Sequence, residues 1–133
     1  KINFDIVNGT FNLDKTIFVN NKIGLLELNN SNLYLENEVL NLNTDILISI
    51  KDSKSLYSFL NTSKNSRKEI KSILINLDYN FLSNEMNFNR IKIDSNIMSD
   101  HFLSVIEDFM NNNSNNLVNT RRLLNELFRI YEG

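Results

Sequence analysis

Residues 72–93, SILINLDYNFLSNEMNFNRIKI, decide the fold. Ile73, Ile75, Leu77, Tyr79 and Phe81 take every second position, with Asn76, Asp78 and Asn80 between them. Successive side chains of an extended chain point to opposite faces, so this run predicts a strand with one apolar face. Ser83 to Glu85 predict a turn, and Met86 and Phe88 continue the pattern on the return strand. A phase change at Asn89 and Arg90 precedes Ile91 and Ile93.

The same alternation extends upstream to the first residues. Ile2, Phe4 and Ile6 lead to a hairpin turn at Asn8, Gly9 and Thr10, and Phe11 and Leu13 restart the pattern. A break at Asp14 to Thr16 predicts a bulge before Ile17 and Val19. Leu26 and Leu28 mark the next strand, and Asn29 to Ser31 predict a turn before Leu33 and Leu35. Leu40, Leu42, Ile46, Ile48 and Ile50 form a long strand with a bend expected at Asn43 and Thr44. Asp52 and Ser53 are capping residues for a short helical turn presenting Leu56, Phe59 and Leu60, and Ser66 with Glu69 has capping-box spacing for a second turn.

Downstream the period becomes helical. Phe102, Val105, Ile106, Phe109 and Met110 recur three or four apart from Ser99 onward. An Asn-rich loop is expected from Asn111 to Asn116, then a last helix capped by Thr120, carrying Leu124, Leu127, Phe128 and Tyr131 and closed by Gly133. The expected fold is mainly β: a curved, open antiparallel sheet, or β-groove, of about seven or eight strands with two C-terminal α-helices. Residues 1–97 form the sheet region and 98–133 a helical cap, in one domain. The chain starts at Lys1, not Met, and is expected to be an excised part of something longer.

Composition removes several classes of function. The 133 residues carry 14 Lys+Arg against 16 Asp+Glu, a formal charge of -2, which supplies no broad basic surface for nucleic acid. With no Cys, neither a disulfide nor a thiolate metal site can form. Three Gly leave no glycine-rich phosphate loop, and no Walker, GxGxxG or HExxH pattern occurs. His101, the sole imidazole, stands beside Asp100 at a helix start without a triad or metal partner in the pattern. The 26 Asn, with no Ala, Gln or Pro, are a bias that we attribute to an AT-rich genome. No apolar run approaches the roughly 20 residues of a membrane helix.

Glu27, Glu36, Glu38, Asp45, Asp78 and Asp94 fall mostly on the polar side of strands and read as a wet face. Lys64, Arg67, Lys68 and Lys71 form one basic group and Arg121, Arg122 and Arg129 another; both read as solvated ends of elements, the other reading being contact with anionic head groups. The apolar stripe remains. Two helices of about 12 residues can cover a few strands of about 25 to 30 Å, but not a sheet of seven or eight. The uncovered part could take acyl chains.

The stretch FDIVNGTFNLDKTIFVNNKIGLLELNNSNLYLENEVLNLNTDILISIKD resembles the C-terminal region of AsmA-like proteins, especially alphaproteobacterial ones. NNSNLYL, IKDSKSLYSFL with Tyr57 and Phe59, SRKEIKSILINLDYNF, NRIKID and the closing NTRRLLNELFRIYEG carry the likeness over most of residues 2–133. The resemblance implies a non-enzymatic periplasmic segment, tethered to the inner membrane of a Gram-negative bacterium through a helix upstream. Its apolar β-groove would pass phospholipid acyl chains passively between the membranes, supporting outer-membrane biogenesis, with a protein partner at the outer membrane and no cofactor, metal or nucleic acid. Phe4, Ile6, Leu26, Leu28, Leu33, Leu35, Ile46, Ile48, Ile73, Ile75, Leu77, Phe81 and Phe88 are the expected groove residues, with Tyr79 at a rim. The first strand's outer edge would be unpaired unless upstream strands extend the sheet. The alternative is a non-enzymatic structural or protein-binding β-domain in which the same residues close a dry core.

Overall fold

In a computed structural model, which describes residues 1–3, 5–94, 99–112 and 117–132, the chain is an open seven-stranded antiparallel sheet with helices on one face. The strands are β1 (Asp5–Val7), β2 (Thr10–Asn12), β3 (Thr16–Asn20), β4 (Gly24–Glu36), β5 (Val39–Ile50), β6 (Ser72–Asn80) and β7 (Glu85–Ile93). The helices are α1 (Ser53–Leu60), α2 (Asp100–Asn112) and α3 (Leu117–Ile130). Strand order is β1-β2-β4-β5-β6-β7, and β3 shares an edge of β4 with β2.

Register keeps one face apolar across the whole sheet. Leu26 lies opposite Ile48, Ile48 opposite Ile73, and Ile73 opposite Ile93. Leu28, Ile46, Ile75 and Ile91 form the next row. A slip of one residue would reverse the face, and two irregularities prevent it. The expected turn at Asn29 to Ser31 is instead a bulge inside β4, where Asn30 takes φ 48 and the register shifts between Asn29 and Asn32. The extra residue returns Ser31, Leu33 and Leu35 to the face of Leu26 and Leu28. The phase change at Asn89 and Arg90 is the second bulge: Asn76 pairs with Arg90, but Leu77 with Phe88.

No bend occurs at Asn43 and Thr44. Thr44 continues the alternation from Leu42 to Ile46 as a fully buried residue, its hydroxyl bonded to that of Ser31. Turns follow local chemistry elsewhere. Asn8 and Gly9 take positive φ in the β1–β2 hairpin. At Gly24 a Cβ would lie 2.1 Å from the Ser49 carbonyl oxygen, so only glycine fits where β4 starts.

The three helices cover only half of the apolar face. Phe102, Ile106 and Phe109 of α2 and Leu123, Leu127 and Phe128 of α3 join Ile73, Ile75, Leu77, Phe88, Ile91 and Ile93 in the core. The Phe88 and Phe109 rings meet at 6.5 Å. Each such side chain contributes about 1.5–3 kcal/mol when fully removed from water. α1 is capped by Asp52, which accepts from the Lys54 and Ser55 amides, and its Tyr57 ring meets Phe128 edge-on at 5.2 Å. Leu56, Tyr57 and Leu60 are its buried residues, whereas Phe59, expected to pack, faces out. The second turn is displaced: a 3-10 turn at Lys64–Ser66 ends where the Ser66–Glu69 capping box was expected to start one, and residues 67–71 are irregular. α3 starts at Leu117, before the expected cap: Thr120 is inside the helix, where its hydroxyl meets the Met86 sulfur at 3.5 Å. Asn111 and Asn112 belong to α2; the remainder of the expected Asn-rich loop and Gly133 lie outside the described residues.

Polar ties lock the helices down. The Leu60 carbonyl accepts from Arg121 Nε at 2.8 Å and Asn125 Nδ2 at 3.0 Å. Arg67 donates to the Thr62 carbonyl, and Lys68 to that of Tyr131, so the basic group around them is partly spent inside the fold. Asp94 accepts from the amides of Lys71 at 2.7 Å and Ser72 at 2.9 Å and from the Tyr131 hydroxyl at 2.8 Å. Partial burial pushes the Asp94 carboxyl up, but these three bonds outweigh it and hold it below the ordinary aspartate value. On the wet face Asp45 is likewise held low, first by Asn30 against partial burial, with Asn76 and Arg90 adding to it.

Both shifts are downward, so their stabilisation is complete above the unfolded aspartate pKa of about 3.9 and is lost as pH falls through the lower folded values. The urea midpoint should therefore drop between about pH 4 and pH 2. Asp94→Asn should cost about 1 kcal/mol at neutral pH and make that drop shallower; a midpoint that rises on acidification would contradict the assignment.

Candidate functional site

The register divides the apolar face into a covered and a bare half. Eleven of the twelve described groove residues lie on this one face by register, and Phe81 follows in the β6–β7 turn, its amide donating to the Leu40 carbonyl; the helices separate them. Ile73, Ile75, Leu77 and Phe88 are buried in the core beneath α2 and α3, and Ile46 and Ile48 pack against it. Ile73, Ile75, Leu77 and Phe88 therefore belong to the helix-covered half and do not line an open groove, because the expected cap sits directly on them, whereas half-buried Ile46 and Ile48 stand at its edge and Ile48 lines the cleft beside α1. Ile6, Leu26, Leu28, Leu33, Leu35 and Phe81 remain on the uncovered side, and Phe4 lies outside the described residues.

On that side apolar exposure is unusually high. Ile6 is 60% exposed, Phe11 40%, Phe18 50%, Leu35 69% and Phe81 43%. Leu26, Leu28, Leu33, Leu40 and Leu42 are half-buried between them. In β4 the bare strip runs from Leu26 to Leu35, about 30 Å at roughly 3.3 Å per residue. By the pairing of β2 to β5, no charged side chain belongs to this face. Exposed apolar side chains gathered on one face are the kind of patch at which proteins meet partners or ligands.

Sequence reading missed part of this surface. Ile17 and Val19 were expected on the apolar side, yet Ile17 pairs with Glu27 and Phe18 with Leu26, so Thr16 and Phe18 share the bare face. The signal was the hairpin itself, because pairing Asn20 with Gly24 fixes which parity of β3 joins Leu26. Phe11, opposite Leu33, belongs to the face as well.

The few polar atoms in this face are used by the protein. Ser31 and Thr44 bond to each other, Ser31 Oγ also donates to the Asn29 carbonyl, and the Ser31 amide donates to Asp14. Thr16 Oγ1 accepts from the Asn3 amide and donates to the Asn3 carbonyl. With these hydroxyls spent, the floor offers a ligand little besides hydrocarbon. Where α1 meets β3 and β4, the floor deepens into a cleft of about 260 Å³ lined by Phe18, Ile23, Leu26, Ile48, Leu56 and Phe59. Tyr79 is half-buried and packs against the core, its ring against Phe81 at 4.7 Å and its hydroxyl donating to Asn84 in the β6–β7 turn.

The opposite face is wet. Asp45 accepts from Asn30 and Asn76, and Asp78 from Asn43 and Asn89. No group of three or more His, Asp or Glu converges on a metal-sized site among the described residues. His101 is exposed at the start of α2. No known protein family matches the chain, and neither a curated protein nor a solved structure is similar to it.

A carboxylate separates the two halves experimentally. Ile75→Asp or Leu77→Asp buries a charge in the dry core and should cost more than about 4 kcal/mol. Leu35→Asp, on the bare side, should change stability by less than about 1 kcal/mol. Urea denaturation followed by circular dichroism measures both, and equal losses would mean that the face is sealed throughout.

Proposed function

We propose that the bare half of the sheet is a trough for the acyl chains of phospholipid, and that the chain works as an AsmA-like periplasmic segment. In this reading it passes lipid passively between inner and outer membranes in support of outer-membrane biogenesis. The observation that carries the proposal is the uncharged strip of about 30 Å left outside the helical cover, with Ile6, Phe18 and Leu35 at least half exposed.

The chemistry fits hydrocarbon cargo. Each methylene moved from water onto the strip contributes about 0.8 kcal/mol, so roughly ten methylenes suffice for firm binding before ordering costs are subtracted. The trough makes and breaks no bonds, and lipid moves along it by exchange of contacts that are alike along its length. In this reading the acyl chain lies on Leu26, Leu28, Leu33 and Leu35, with Phe11 and Phe18 as the wall. The buried residues Ile73, Ile75, Leu77 and Phe88 act as the support that holds the strip open.

Protein purified without detergent should carry co-extracted phospholipid detectable by mass spectrometry, and the delipidated protein should take up a fluorescent fatty acid. Leu33→Asp with Leu35→Asp should lower uptake at least ten-fold while leaving the far-ultraviolet circular dichroism unchanged. Protein that is lipid-free as isolated and ignores the probe would sink the proposal.

A further inference from the structure

Charge is distributed unevenly along the strands, and the distribution has a direction. Lys22 lies in the turn between β3 and β4, Lys51 directly follows β5, Lys54 opens α1 and Lys71 directly precedes β6. These four positions converge on one end of the sheet, because Gly24 pairs with Ile50 and the Ile50 amide donates to the Lys71 carbonyl. Lys51 Nζ reaches the Asn21 carbonyl at 3.5 Å, beside Lys22. Two of the carboxylates nearby, Asp52 as the cap of α1 and Asp94 as the acceptor from Lys71, Ser72 and Tyr131, stay ionised and offset two of the lysines. Exposed Glu69 offsets one lysine.

The other end is the reverse. Glu36 ends β4, Glu38 is in the turn that follows and Glu85 starts β7. No Lys or Arg occurs from Asn29 to Ile50 or from Ser72 to Asn89.

Apolar side chains are exposed at both ends, so hydrophobicity alone does not distinguish them. The lysine end presents Phe18, Val19 and Phe59, the last 70% exposed; the acidic end presents Leu35, Phe81 and Leu82. Among the described residues of the strands and α1, basic groups surround apolar ones at the lysine end, the arrangement by which peripheral proteins hold an anionic lipid surface. Phe18, Val19 and Phe59 also line the 260 Å³ cleft that continues into the strip.

We propose that the end of the sheet bearing Lys22, Lys51, Lys54 and Lys71 docks on the surface of an anionic phospholipid bilayer, with Phe18, Val19 and Phe59 entering its interface. This names a partner for the trough and rests on that reading; the docked end is selected by charge. Docking in this orientation turns the mouth of the cleft toward the lipid and points the acidic end away from it.

The test is flotation of the full chain with vesicles of equimolar phosphatidylglycerol and phosphatidylcholine, against vesicles of phosphatidylcholine alone. Binding to the anionic vesicles is expected, with little to the neutral ones. It should weaken strongly as salt rises from about 0.1 M to 1 M, because the screening length falls from about 10 to 3 Å. Removing a lysine near the surface should weaken binding about five-fold, so Lys22→Ser, Lys51→Ser and Lys54→Ser together should weaken it roughly a hundred-fold. Phe59→Ser should weaken it about ten-fold, whereas Leu82→Ser at the acidic end should leave it unchanged. All these side chains are exposed, and thermal melts confirm that the variants fold.

Equal binding to neutral and anionic vesicles, no binding to either, or a triple lysine variant that binds like the parent would overturn the docking surface. So would uptake of dissolved anionic fatty acid governed by the same three lysines without vesicle binding, which would assign them to a single amphiphile. The outcome is separable from that of the trough. Protein that binds anionic vesicles but takes up no acyl probe keeps the docking surface and loses the trough; uptake without vesicle binding does the opposite.

Discussion

Hydrophobic cover decides this structure, and there is too little of it. The apolar face extends from Ile6 in β1 to Ile93 in β7, yet α2 and α3 pack on the β6–β7 side and α1 reaches only to the edge of β4. Helices of 13 and 14 residues are about 20 Å long and about 10 Å wide, so two of them and one shorter helix leave several strands bare. The buried half supplies the stability that holds the sheet together. Its rigidity lets β4 and the strands beyond it keep leucine and phenylalanine in water without collapse onto a core of their own.

Two inserted residues make that division possible. The bulge at Asn30 and the one at Asn89 each restore the parity of a long strand, so the apolar face continues to the far turns. Without the first, Leu33 and Leu35 would turn to the wet side and the strip would end near Leu28. The bulge in β4 is held in place by side chains: Asn30 donates to Asp45, and the Ser31 amide to Asp14. The wet face thereby helps to set the register of the greasy one.

Much of the fold was legible in the sequence because alternation is a strong local signal. The open antiparallel sheet followed by helices, the Asp52 cap, the Asn8–Gly9 turn and the phase change at Asn89 each follow from a few neighbouring residues. The bulge at Asn30 looked like a turn because Asn29, Asn30 and Ser31 are turn residues, and whether the chain reverses there depends on the partner strand β5. Which apolar residues lie under helices depends on where α1 to α3 dock, and alternation carries no such information. Ile75 and Leu35 read alike in sequence, but one is buried and the other is 69% exposed. Phe59 looked buried by helical spacing, yet the bare side of α1 leaves it in solvent.

The central claim is that one face of one sheet is dry core on one side and open on the other. Because the chain has no cysteine, single thiols can be placed at will, and the rate at which maleimide labels Leu33→Cys and Ile75→Cys in the delipidated native protein reads both halves at once. The account predicts that Leu33→Cys reacts within about ten-fold of an unfolded control, while Ile75→Cys, reached only through opening of the core, reacts roughly a thousand-fold more slowly. Equal protection of the two thiols would contradict it.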